Sequence, residues 1–90
     1  MQHLPTNFDV TVALTDVLRA AGVDYPIGSV IVLSVANTRK RFYRLVPYPG
    51  VRSPLSEVLS GLLRRPFPAD ECGWLIDRRE ARTLVRTFSR

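Results

Sequence analysis

Apolar residues recur from Val10 to Ala21 at Val10, Ala13, Leu14, Val17, Leu18 and Ala21. That spacing keeps one face of a helix apolar, with Asp9 placed as N-cap and Gly22 just past the end. Phe8, Val10, Val12 and Leu14 also alternate as in a strand, so the first turn stays open to an extended reading. The run Ser29 to Val35 is short, β-branched and apolar on both sides, which predicts a strand buried on both faces. Arg41 to Val46 predicts a second strand. Ala36 to Lys40 between them holds Asn37 and Thr38, residues suited to tight turns, so the two strands are expected to form an antiparallel hairpin.

Ser53 and Pro54 read as a helix start, a cap followed by a ring whose fixed φ suits the first turn. Leu55, Val58, Leu59, Leu62 and Leu63 then form one stripe up to Arg65, and Pro66 stops it. Asp77 and Glu80 have capping-box spacing and open a last helix with Ala81, Leu84, Val85 and Phe88 on its buried face. Carried backwards, that helix would put Leu75 and Ile76 off its apolar face, so Gly73 to Ile76 is expected as a short strand or turn. The fold class that follows is α+β. One small domain over residues 1–90 packs an antiparallel hairpin, with or without a third short strand, against about three helices in the order α-β-β-α-(β)-α.

Composition agrees with a packed core. Apolar residues make up 46% of the 90 positions, too many for a disordered tail. The single Cys72 rules out an intramolecular disulfide, which favours the cytoplasm, and its neighbours Gly73 and Trp74 suggest a buried or half-buried thiol. No apolar run reaches membrane-spanning length, and Met1 to Asn7 lacks the order of a secretory signal.

The chemistry for catalysis is thin. Nucleophilic triads and most transition-metal sites use histidine, and His3 stands alone near the terminus. Asp70 and Glu71 are adjacent, which is poor geometry for a shared acid-base pair, and they read as solvated loop charges. Glycines 22, 28, 50, 61 and 73 match neither a P-loop nor a dinucleotide fingerprint. No enzyme activity, metal or cofactor is expected. The helix-hairpin-helix order invites comparison with RNA-binding folds, but no two glycines stand three apart as a KH clamp requires. The helix near residues 54–65 interrupts the strands of a double-stranded-RNA-binding domain. A winged helix-turn-helix needs three helices ahead of its wing, and one precedes this hairpin.

What remains is charge. Thirteen Lys and Arg against eight Asp and Glu give a net charge of +5, which attracts polyanions or an acidic protein face. All the basic residues but Lys40 are Arg, a bias that GC-rich coding also produces. Two clusters stand out. Arg39, Lys40, Arg41 and Arg44 surround Phe42 and Tyr43, with Arg41 and Tyr43 on one strand face and Phe42 and Arg44 on the other. Such a tip suits a groove or a phosphate backbone, with either aromatic free to stack, although charged tips also serve solubility alone. Arg78, Arg79, Arg82, Arg86 and Arg90 fall within roughly a third of the last helix's circumference, beside its apolar face. Arg86 and Arg90 suit the helix C-terminus, whereas Arg78 and Arg79 sit at the end where the dipole disfavours cations.

The expected partner-binding set is therefore Arg39, Lys40, Arg41, Tyr43, Arg44, Arg78, Arg79, Arg82 and Arg86, and the expected role is that of a non-catalytic module. Its partner is nucleic acid or a nucleic-acid-bound protein complex. The alternative is a small inhibitor or adaptor, of the kind mobile elements encode to block host machinery, gripping an acidic protein surface with Tyr48 and Trp74 as further anchors.

Overall fold

The computed structural model describes residues 4–37 and 40–88. Its order is α1 (Asn7–Ala20), β1 (Val30–Asn37), β2 (Lys40–Pro47), α2 (Pro49–Leu63), β3 (Trp74–Asp77) and α3 (Arg78–Phe88), an α+β fold with three helices and a three-stranded antiparallel sheet.

Each helix is started by local chemistry. Thr6, not Asp9, caps α1: its hydroxyl accepts the Asp9 N–H at 3.0 Å, while the Asp9 carboxylate accepts the Thr6 N–H at 2.9 Å. That reciprocal pair settles the first turn as helical. α2 begins at Tyr48 and Pro49 rather than at Ser53, so Pro54 lies inside it. A proline there cannot donate to the carbonyl four residues back, at Gly50. The Tyr25 hydroxyl donates to that carbonyl at 3.1 Å and fills the missing bond. α3 starts as its sequence predicts, with the Asp77 carboxylate accepting the Glu80 N–H at 2.8 Å and Glu80 accepting the Asp77 N–H at 3.1 Å.

β1 and β2 pair in the register Val30↔Pro47 to Asn37↔Lys40, and β2 pairs with β3 from Phe42↔Asp77 to Leu45↔Trp74. Alternation then sorts the side chains. Val30, Val32, Tyr43, Leu45, Trp74 and Ile76 face inward and are buried with Leu14 and Leu18 of α1, Leu55 and Leu59 of α2, Phe67, and Ala81 and Leu84 of α3. The strands pack close enough at Gly73 that a Cβ there would lie 2.5 Å from the Leu45 carbonyl oxygen.

Two expectations fail here. β1 is not buried on both faces: Ile31 is 45% and Leu33 48% exposed, because the helices gather on the inner side of the sheet. Cys72 is exposed, since it precedes β3 in a loop instead of entering the core. Trp74 is buried in the core and not at the surface where an interface anchor would stand, with its indole N–H donating to the Pro68 carbonyl at 2.9 Å and its ring edge-on to Phe67.

Candidate functional site

Residues from both basic clusters, more than thirty positions apart in the chain, line one cleft of about 300 Å³. Strand register brings them together. Phe42 is the residue opposite Asp77 at the end of β3, so Lys40 and Arg41 run on past that end with no β3 partner. α3 follows β3 without an intervening residue and places Arg78 and Arg79 of its first turn, and Arg82 of its second, beside that overhang. Phe42 and Asp77 complete the lining.

The charge balance is one-sided: five cations share the cleft with one carboxylate, and that carboxylate is held by the helix cap. Glu80, the acid on α3 itself, is engaged elsewhere. Its two oxygens receive the Arg65 guanidinium at 2.6 and 3.1 Å. Arg65 also donates to the Leu75 carbonyl and stacks 4.2 Å over the Phe67 ring, so it is a structural clamp. Among the described residues no carboxylate lies within ion-pairing distance of Lys40, Arg41, Arg78, Arg79 or Arg82.

Repulsion among these cations is left uncompensated, and the positive end of α3 adds to it. The Arg82 Nε–H is buried without an acceptor among the described residues. Arg52 Nε on α2 is in the same state, so the convergence of the cations, and not that one atom, carries the weight. An anion with several oxygens would relieve both conditions, because guanidinium groups donate in forks that match phosphate or carboxylate.

Tyr43 lies beneath this cleft and not in it. Its ring is 1% exposed, and its hydroxyl donates to the Pro5 carbonyl at 2.6 Å. Burial pushes the Tyr43 phenol above its ordinary pKa, while the positive charges of Arg41, Arg82 and Arg78 oppose that shift. The residue underlies the cleft from the core, and of the two hairpin aromatics Phe42 is the one that lines it. Arg44 is exposed on the outer sheet face and lines a separate, open hollow with mixed charges at Asp70, Glu71 and Arg65. Arg86 is exposed one turn beyond Arg82 and does not line the cleft. Arg39 lies outside the described residues.

Phe42 stood within the basic segment already in the sequence, but nothing there signalled that Asp77 would join it, because that adjacency comes from the β2–β3 register. Among the described residues no group of acids, histidines or cysteines is arranged to hold a metal, and no helix is long and apolar enough to cross a membrane. Comparison with known proteins finds no matching family, curated protein or solved structure.

Proposed function

We propose that this chain is a non-catalytic, cytoplasmic binding module that engages the phosphate backbone of a nucleic acid, free or within a ribonucleoprotein, through the cleft between the hairpin and α3. The observation that carries this reading is the meeting of Lys40 and Arg41 with Arg78, Arg79 and Arg82 around a single, already engaged carboxylate. Cations that fold toward one another without internal partners are the electrostatic footprint of a polyanion site. The stapled first turn of α3 holds Arg78 and Arg79 in place, which lowers the entropy lost when they meet phosphate.

The test is a salt titration of binding to labelled oligonucleotides, comparing the wild type with the triple variant Arg41→Gln, Arg78→Gln, Arg82→Gln and with Arg86→Gln. Each lost phosphate contact lowers the slope of log affinity against log salt by about 0.7 to 0.9, so the triple variant should lose roughly 2 to 3 from the slope. Arg86→Gln should lose less than about 1. Nucleic-acid affinity that is independent of salt, or equal in wild type and triple variant, refutes the reading.

A second reading, a protein-binding adaptor or inhibitor, is favoured by one observation. The outer face of the sheet exposes Ile31, Leu33 and Leu75, and the edge strand β1 (VIVLSVAN) carries neither charge nor proline. An edge without charge or proline is a template for pairing with another chain, and an exposed apolar face beside it favours a protein contact. This reading predicts affinity for a protein partner that changes little with salt and falls on Leu33→Lys.

A further inference from the structure

Lys40, Phe42 and Asp77 of the cleft lining belong to the outer face of the sheet, opposite the buried Tyr43 and Ile76, so the cleft and that face share Phe42. It lines the cleft, is half-buried, and stands on β2 between Lys40 and Arg44, two positions away on either side and therefore on the same face. Its cross-strand neighbours are Val35 on β1 and Asp77 on β3, so no other aromatic ring covers it from an adjoining strand. Resting on the phosphate-binding reading above, we infer that the preferred ligand is single-stranded nucleic acid, with one unpaired base stacked on Phe42 and the flanking phosphates held by Lys40 and Arg44 on the sheet and by the arginines of the cleft.

A ring bracketed by cations along a strand joins the two elements of a single-strand site, a positive track and a π-face that accepts any base. In a duplex the faces of the bases are stacked on one another and only their edges reach the grooves, so Phe42 has nothing to stack on unless a base is extruded. The open outer face, with Leu33 beside Arg44 in the strand register, leaves the room a splayed strand needs. Tyr43, the other aromatic of the hairpin, cannot take this part because its ring is in the core.

The experiment measures binding of the full chain to a fluorescein-labelled oligothymidylate of about a dozen nucleotides and to a duplex of similar length, across a salt series. Wild type is compared with Phe42→Leu, which keeps an apolar side chain without a π-face, and with Phe42→Tyr, which keeps the π-face. The wild type should bind the single strand more tightly than the duplex. Phe42→Leu should lower single-strand affinity about 5- to 150-fold without changing the salt slope, since it removes stacking and no charge. Phe42→Tyr should stay close to wild type. Circular dichroism and Trp74 fluorescence verify that each variant is folded. Duplex bound as tightly as the single strand, or Phe42→Leu binding like wild type, overturns this inference and leaves the phosphate-binding cleft standing. Failure of the wild type to bind either oligonucleotide overturns both.

Discussion

Gly73 and Gly61 should respond to the same substitution with opposite signs. Gly73 leads into β3, and a Cβ added there would sit 2.5 Å from the Leu45 carbonyl oxygen. That is nearly 1 Å inside ordinary carbon–oxygen contact. The obstacle is backbone in the central strand, so no rotamer change relieves it, and β3 must move off β2 near the Leu45↔Trp74 pair. Overpacking of this kind costs about 1 to 3 kcal/mol. For a domain of this size the midpoint of thermal unfolding should fall by roughly 5 to 20 °C. Gly61 lies exposed within α2 with nothing within 4 Å of an added Cβ, so Gly61→Ala should stabilise by about 0.4 to 1 kcal/mol through helix propensity and a less flexible unfolded chain. The assay is urea unfolding followed by fluorescence of the single tryptophan, Trp74, which is 5% exposed and lies in the strand being displaced. A Gly73→Ala variant as stable as wild type, or less harmed than Gly61→Ala, would show that β2 and β3 do not approach as described.

The Tyr43 phenol, raised by burial, should make stability fall in strong alkali: below pH 10 both states keep the proton, and above it the unfolded chain releases the proton first, so stability drops as pH rises toward the folded pKa. Tyr43→Phe should reduce that loss while lowering stability at neutral pH by about 1 to 3 kcal/mol, because the Pro5 carbonyl loses its donor; an unchanged alkaline limb in urea titrations would assign the effect to other groups. Arg65→Ala removes both bonds to Glu80 and the stack on Phe67, and after solvent screening of a partly exposed pair it should cost roughly 1 to 2 kcal/mol in the same unfolding assay. A cost under about 0.3 kcal/mol would show that the clamp contributes nothing to holding α3.

Local periodicity and capping chemistry were enough to read the order of elements. The α2 stripe, the Asp77–Glu80 cap and the alternation of Arg41 and Tyr43 against Phe42 and Arg44 are interactions within about four residues, and such interactions leave their pattern in the chain itself. The boundaries at Tyr48 and Thr6 were misplaced because Asp9 suits either the cap or the first turn, and because Pro54 reads as a helix start unless a distant donor, here the Tyr25 hydroxyl, takes the Gly50 carbonyl and lets the proline sit inside the helix.

Tertiary packing decided the rest. Alternation separates Phe42 from Tyr43 but does not say which of them meets the helices; packing into the core sends Tyr43 inward and leaves Phe42 at the cleft. A run that is apolar on both sides suits a sandwiched strand equally well, and only the placement of every helix on one side left Ile31 and Leu33 uncovered. Each basic cluster was legible on its own. Their union depends on the overhang of β2 past the end of β3 and on Arg65 drawing Glu80 away from the arginines, contacts between residues far apart in sequence whose geometry no local pattern encodes.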